Sequence, residues 1–202
     1  MDKVTGTTIG RPRGFDVDEA LERAMVVFWQ QGYDGATLSD LTDAMGITRT
    51  SLYAAFGNKD QLFRAALQRY LEGPGGYGIR ALQEPTARRV AAAFLAGAVR
   101  ATTQPGTPAG CLIVQGSLAA GETGRAARQV LTLCREETWA HLRERFRRAA
   151  DEGDLGTDTD PGVLARYILT VANGIAVQAA GGVGADDLQR VADGALGHWP
   201  PV

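Results

Sequence analysis

The stretch that decides the fold is MGITRTSLYAAFGNKDQLF, residues 45–63. Together with the segment before it, this stretch predicts two short helices, residues 37–45 and 48–56. Gly46 lies between them and can adopt the left-handed backbone conformation that a tight turn between two helices requires. The pattern predicts a helix-turn-helix, in which the second helix enters the major groove of DNA.

The second of these helices begins with four polar residues, Thr48-Arg49-Thr50-Ser51. A helix that served packing alone would usually carry a wider apolar stripe. Arg49 can donate two hydrogen bonds to O6 and N7 of a guanine, while Thr50 and Ser51 can bond to bases or contact thymine methyl groups. We therefore predict that this end of the helix reads the base sequence.

Other residues in and before this region are suited to the DNA backbone. The Tyr53 hydroxyl can reach a phosphate at the wall of the groove. Thr37 and Lys59 each lie at the start of a helix, where free N–H groups and the helix dipole favour an anion. Arg11 and Arg13 lie on a short basic arm at the N-terminus. We predict phosphate contacts for these five residues.

The formal net charge of the 202-residue chain is −2 and does not by itself suggest nucleic acid. The distribution of charge does, because residues 16–22 are acidic whereas residues 46–71 are basic. A basic face on a nearly neutral protein is typical of local phosphate contact. The basic residues of the second segment are Arg49, Lys59, Arg64 and Arg69, against the single acid Asp60.

The chain as a whole is predicted to be all-α, because it is rich in Ala, Leu, Arg and Glu with apolar residues three and four apart. One break, GPGGYG at residues 73–78, marks a turn or linker. It divides the chain into a flexible basic arm (1–14), a helix-turn-helix DNA-binding domain (15–72) and a helical domain for ligand binding and dimerisation (73–202). The later helices are predicted over about 86–102, 125–152, 161–180 and 186–198, with a short apolar segment at 111–120.

Residues 15–71 resemble the N-terminal domain of TetR-family transcription regulators. The resemblance lies in Gly32-Tyr33 with Thr37, in the run LSDL at 38–41, and above all in residues 45–63, which contain Leu-Tyr-x-x-Phe-x-x-Lys. It implies a homodimer that reads a palindromic operator and a C-terminal domain that binds a small molecule and pairs through its last two helices. The implied DNA contacts are Thr37, Thr48, Arg49, Thr50, Ser51, Tyr53 and Lys59.

One departure from the family matters for the choice of operator. Many relatives carry His, Tyr or Arg where this chain has Ala54-Ala55. We therefore expect base reading to rely more on Arg49 and Thr50, so that the operator of a relative does not transfer to this chain.

Apolar stripes on the last two predicted helices are too wide for surface helices, and they predict a four-helix dimer interface. The residues of this predicted interface are Val163, Tyr167, Ile168, Val171, Ile175, Leu188, Val191 and Leu196.

The C-terminal domain also supplies large side chains that could line a ligand cavity. An effector that is mainly apolar with one or two polar groups is the expectation for such a cavity. The candidate ligand contacts are Phe94, Cys111, Gln115, Trp139, His141, Phe146, Tyr167 and Gln178. Residues 110–114 also resemble a segment that, in one branch of the family, lines the inducer cavity and faces the DNA-binding domain.

The two cysteines, Cys111 and Cys134, are too few for a disulfide framework, and their spacing to the histidines does not suggest zinc. We expect no metal and no cofactor. Some TetR-like relatives sense electrophiles or oxidants through a cysteine in the region of Cys111. The alternative, that Cys111 is a buried structural thiol, is favoured because nothing nearby in sequence would lower its pKa.

An enzyme is not expected, because the chain has no G-x-S-x-G, H-E-x-x-H, P-loop or dinucleotide-binding motif. A helical protein-interaction module remains an alternative, but it would not explain a basic, polar-tipped helix behind a glycine turn. No run of about 18 consecutive apolar residues suggests a membrane span, and Met1–Gly14 lacks a signal-like segment. The sequence thus predicts a cytoplasmic, ligand-responsive DNA-binding regulator, and the resemblance favours a repressor.

Overall fold

The computed structural model describes residues 14–119, 124–197 and 199, and this part of the chain contains helices and no β-strand. The prediction of an all-α fold is confirmed. Arg11 and Arg13, predicted to contact DNA from the N-terminal arm, lie outside the described residues.

Four helices form the N-terminal part. Asp16 caps the first through hydrogen bonds from the Asp18 and Glu19 N–H groups. Within this helix Gly32 leaves the helical conformation, with φ at +70°. The four helices are α1 (Val17–Gly35), α2 (Leu38–Met45), α3 (Arg49–Phe56) and α4 (Lys59–Glu72).

The glycine-rich break after α4 is shorter than predicted. A 3₁₀ turn at Pro74–Gly76 leads directly into a short helix that begins at Tyr77. The glycines here and in the following helix permit close packing: a Cβ on Gly78 would lie 3.2 Å from the Phe94 ring, and one on Gly97 would lie 2.8 Å from Tyr77. The remaining helices are α5 (Tyr77–Ala81), α6 (Ala87–Thr103), α7 (Leu112–Ala119), α8 (Arg125–Asp151), α9 (Pro161–Ala180) and α10 (Ala185–Gly197).

Two apolar cores hold these helices together. The first joins α1–α4 to α7 and to the N-terminal part of α8, including Leu112 and Leu131. The second joins α5 and α6 to α9, α10 and the C-terminal half of α8. Because the first core includes residues beyond position 110, the DNA-binding helices pack directly against the start of α7 and of α8. The division of the chain after residue 72 stays a prediction.

Helix α9 is 20 residues long with a mean hydropathy of 1.4, long and apolar enough by composition to cross a membrane. In the fold it packs against α6 and α8, where Ile168, Ala172 and Ile175 are buried. Core helices of soluble proteins have the same length and composition, so α9 is weak support for a membrane span.

Candidate DNA-binding surface and ligand cavity

The turn between α2 and α3 has the geometry that the sequence predicted. Gly46 ends α2 in the left-handed conformation, with φ at +67° and ψ at +31°. Thr48 then caps α3, since its hydroxyl accepts a hydrogen bond from the Ser51 N–H at 3.1 Å. Leu52 is completely buried and anchors α3 in the first core. The helix-turn-helix is therefore fixed at both ends by local backbone chemistry.

The opposite side of α3 is exposed to solvent. Arg49, Thr50, Tyr53 and Ala54 all lie on this exposed side, and half of the Tyr53 surface is accessible. The structure brings the predicted base-reading residues together on one face. Ala54 shares this face, and its methyl group is suited to contact with a thymine methyl, a role not assigned from the sequence.

Two of the predicted DNA contacts are already engaged in capping. The Thr48 and Ser51 hydroxyl oxygens lie 3.0 Å apart and share a hydrogen bond. When either hydroxyl contacts a base, it must do so while keeping this hydrogen bond or after replacing it by a bond to the base. Arg49 and Thr50 make no such bond within the described part of the chain, which leaves their polar atoms available to DNA.

A similar constraint applies at the start of α2. Thr37 and Asp40 form a reciprocal cap, in which the Thr37 hydroxyl donates to the Asp40 carboxylate at 2.7 Å and the Thr37 N–H donates at 3.0 Å. These bonds lower the pKa of Asp40, with the hydroxyl making the larger contribution. The Asp40 carboxylate thus accepts from both the hydroxyl and the N–H of Thr37, and a Thr37 contact to DNA has to share its hydroxyl with Asp40.

Lys59 is held in place at the start of α4. Its Nζ lies 4.4 Å from the centre of the Tyr33 ring, and the Tyr33 hydroxyl donates a hydrogen bond to Asp60. Burial lowers the pKa of Lys59, while the charges of Asp34 and Asp60 oppose that shift. The aromatic contact presents an ammonium group in a fixed position, as a backbone phosphate contact requires.

The predicted basic face is smaller than the sequence suggested. Arg69 turns towards α1, where it pairs with Asp18 at 3.2 Å and Glu22 at 3.4 Å. Arg64 faces a small recess that it shares with Ala126 and Val130 of α8. Arg64 and Arg69 therefore do not extend the exposed face of α3: Arg69 forms ion pairs with α1, and Arg64 packs beside α8.

The start of the described chain lies beside the recognition helix. Gly14 and Phe15 line one groove together with Thr48, Ser51 and Ala54. The described part of the chain therefore begins close to the expected DNA surface.

A cavity of about 310 Å³ lies among α4, α5, α6, α8 and α9, beside the start of α7. Three of the predicted ligand residues line it, Phe94, Cys111 and His141. Residues that the sequence analysis did not select also line it, because they come from helices far apart in the chain. The most informative of these are Tyr70, Tyr77, Cys134, Arg135 and Asn173.

The other predicted ligand residues do not line this cavity. Trp139 packs between the guanidinium groups of Arg143 and Arg166, at 4.8 and 4.4 Å, and its indole donates to the Gly162 carbonyl. Phe146 is fully buried in the second core beside Trp199. The helical period directs Trp139 towards α9 and Phe146 towards Trp199, which follows α10.

Tyr167 and Gln178 are exposed on α9. Gln115 lies against Gly110, where a Cβ would be 2.9 Å from the Gln115 amide, and it does not line the cavity either.

Cys111 joins the cavity to the DNA-binding helices. The Tyr70 hydroxyl of α4 donates to its sulfur at 3.3 Å, and burial, together with the neighbouring Cys111, raises the pKa of Tyr70. The preceding carbonyl, that of Gly110, accepts a hydrogen bond from the Trp29 indole of α1 at 3.2 Å. The segment Gly110-Cys111 therefore contacts both α1 and α4.

The predicted dimer residues divide into two groups. Val163, Tyr167 and Val191 are exposed on α9 and α10, by 67%, 44% and 54%. Val177, which the sequence analysis did not select, is 47% exposed as well. Ile168, Ile175 and Leu188 are instead buried in the chain's own second core, while Val171 and Leu196 are partly buried against it.

Comparison with known proteins identifies the family of both halves of the chain. Residues 20–66 match the family of bacterial regulatory proteins called tetR, and residues 86–191 match the tetracyclin repressor-like C-terminal domain. The chain is 32% identical to the HTH-type transcriptional repressor ComR of Escherichia coli (strain K12). That match covers 96% of this chain and 93% of ComR.

Two solved structures extend the similarity to three dimensions. A cysteine mutant of the TetR family transcriptional regulator CifR, complexed with 26-bp operator DNA, is 45% identical to this chain with a TM-score of 0.90. The match covers 95% of this chain and all of the CifR chain. A TetR regulator from Rhodococcus sp. RHA1 is 39% identical with a TM-score of 0.63, and the match covers 92% of this chain and all of the other. The chain therefore belongs to the TetR family and is a DNA-binding transcription regulator.

Proposed function

We propose that this protein is a cytoplasmic homodimeric repressor that binds a palindromic operator and is released from it by a small molecule in the cavity. The observation that carries the proposal is that one helix joins the two sites. Helix α4 begins with Lys59 at the DNA-facing side and contributes Tyr70 and Leu71 to the cavity wall. At a rise of about 1.5 Å per residue, Lys59 and Tyr70 are separated by about 16 Å of rigid helix.

A ligand can act on the DNA-binding helices through this wall. Any molecule that displaces Cys111 or Tyr70 also changes the hydrogen bond between them, at the end of α4. The Trp29 contact with Gly110 carries the same displacement to α1. A ligand shifts the equilibrium only if it binds one arrangement of these helices better than the other.

The homodimer is supported by the exposed apolar side chains of α9 and α10, which water would otherwise surround. A dimer with two-fold symmetry presents two α3 helices, and these match the two halves of a palindrome. The proposed base contacts are Arg49 and Thr50, with Thr48, Ser51, Tyr53, Lys59 and Thr37 supporting them. The repressor role is supported by similarity to ComR, which is named as a repressor.

The test is a titration of DNA from the region upstream of the protein's own gene, followed by fluorescence anisotropy at several salt concentrations. We expect specific binding that weakens by about a thousandfold or more between 50 and 200 mM salt, because phosphate contacts release counterions. Binding that is independent of salt, or equal binding to all genomic fragments, would contradict the proposal.

A second candidate mechanism is covalent sensing through Cys111. It is favoured by the Tyr70 hydroxyl, which can stabilise a thiolate at Cys111 by donating to its sulfur, and by the presence of Cys134 in the same cavity. Burial, with the nearby charge of Glu137, raises the pKa of Cys134 and so disfavours the nucleophilic thiolate at that residue.

N-ethylmaleimide tests this second mechanism. The Cys111 sulfur adds to one carbon of its double bond and the thiol proton goes to the other carbon, so no further reactant is needed. If Cys111 is the sensor, the reagent releases operator DNA from the wild type and from Cys134→Ser, but not from Cys111→Ser. Equal release from all three proteins assigns Cys111 a structural role only.

A further inference from the structure

The polar groups of the cavity fall into two sets. One set is already paired: the Tyr70 hydroxyl bonds to Cys111, and the Thr138 hydroxyl donates to the Cys134 carbonyl at 2.8 Å. The other set lines the same cavity without a hydrogen-bond partner among residues 14–119, 124–197 and 199. Its members are Tyr77, Arg135, Glu137, His141 and Asn173.

In the described part of the chain, Arg69, Arg135 and Arg145 each have one buried guanidinium nitrogen without a hydrogen-bond partner, and Arg135 differs from the other two in how the rest of its guanidinium is engaged. Its Nε atom is buried without a hydrogen-bond partner, and within the described ranges its guanidinium forms no ion pair. Arg145, further along α8, donates to three carbonyl groups, at 2.8, 3.0 and 3.3 Å. A charged donor that is shielded from water without an acceptor is costly, and the cavity is where an acceptor for Arg135 can enter.

The acid next to Arg135 does not supply that acceptor. Glu136 points to α9, where it forms a two-point ion pair with Arg166, at 2.9 and 3.0 Å. The charge of Arg135 contributes only the smallest of the effects that lower the pKa of Glu136, and the Arg166 hydrogen bond contributes the largest. The guanidinium of Arg135 is therefore available to an acceptor in the cavity that it lines.

The remaining walls define the rest of the ligand. Phe94, Leu142 and Leu169 are buried, and all three line the cavity. Glu137 lies at the exposed rim of the same cavity, where its charge would repel a ligand with a second negative charge. A planar carboxylate also matches the donor fork of a guanidinium group better than a point charge does.

We infer that the cavity binds an amphipathic monocarboxylate, whose carboxylate accepts hydrogen bonds from Arg135 and whose apolar body packs against Phe94, Leu142 and Leu169. This inference rests on the proposed function, in which the cavity holds the effector. It names the chemical class of that effector and the residue that selects it.

The test is calorimetric titration of the intact protein, without DNA, with a series of straight-chain carboxylates from hexanoate to dodecanoate and with the primary alcohols of the same lengths. Two charge-assisted hydrogen bonds should favour the best carboxylate over its alcohol by about tenfold or more. In Arg135→Gln this preference is lost, while the affinity for the alcohol is unchanged. Arg128→Gln, an exposed arginine of α8 outside the cavity, is the matched control and keeps the preference.

Thermal unfolding of each variant shows whether it folds. Arg135→Lys keeps the positive charge but loses the paired donors of the guanidinium group, so it should retain only part of the preference for the acid. Equal affinities for acid and alcohol in the wild type, or no binding of any acid, would overturn the inference. A separate titration with operator DNA tests release. If the acid binds through Arg135 but does not release DNA, the inference stands and the proposed ligand response fails.

Discussion

The DNA-facing surface and the cavity are built in opposite ways. The proposed contacts of the surface, from Thr37 to Lys59, lie on consecutive short helices whose ends are fixed by caps within the same segment. The cavity is concave, and its lining runs from Gln68 to Asn173 over several helices and a loop. The surface therefore depends on local sequence and the cavity on the assembly of distant segments.

The largest expected effect is the loss of dimerisation, which should weaken operator binding because a palindrome requires two copies of the DNA-facing surface. Tyr167→Glu and Val191→Glu each place a charge on the exposed apolar side of α9 and α10. In a dimer that charge is buried twice, and a penalty of about 3 kcal/mol weakens association roughly a hundredfold. Sedimentation equilibrium should show monomers, and operator binding should fall with dimer formation.

Leu133→Glu is the matched control for these two variants, because Leu133 is 61% exposed on α8, outside the proposed interface. It should remain dimeric. If all three variants dimerise like the wild type, the interface is not formed by α9 and α10.

A smaller effect tests whether local backbone chemistry fixes the surface. Gly46→Ala forces a side chain into the left-handed conformation and should lower the free energy of unfolding by about 1–2 kcal/mol. Gly35→Ala, at a nearby glycine without positive φ, is the control and should change stability less. Urea unfolding measures both, and equal losses would show that the turn geometry at Gly46 is not what stabilises this region.

The smallest effect concerns a single phosphate contact. Lys59→Ala should weaken binding to operator and to non-specific DNA alike. It should also reduce the slope of log K against log salt concentration by about one per half-site. Arg64→Ala, on the same helix but facing α8, should leave the salt dependence unchanged. A loss in Lys59→Ala that is confined to the operator would show that Lys59 contacts a base.

The same contrast explains what the sequence could predict. The helix-turn-helix, its glycine turn and its caps depend on residues three or four apart, and these predictions are confirmed. Spacing could not show that Arg69 pairs with Asp18, because that contact joins α4 to the start of α1.

The cavity was only partly predicted for the same reason. Size and polarity suggested Trp139 and Phe146, but the register of α8 points them to α9 and to Trp199, whereas Arg135 and Cys134 line the cavity. The one available signal was helical spacing, since Cys134, Thr138 and His141 share a face of α8. Gly78 was assigned to the predicted turn or linker at residues 73–78, whereas in the structure it and Gly97 permit close contact between α5 and α6.

The central claim is that the exposed face of α3 reads the DNA sequence, with Arg49 at its tip. The most direct measurement is a competition between the operator and operators changed at each base pair, carried out with the wild type and Arg49→Ala. We predict that Arg49→Ala loses about 1–3 kcal/mol per half-site and no longer distinguishes bases at one symmetric pair of positions. If Arg49→Ala weakens binding to every sequence equally, Arg49 contacts only the DNA backbone and the claim is wrong.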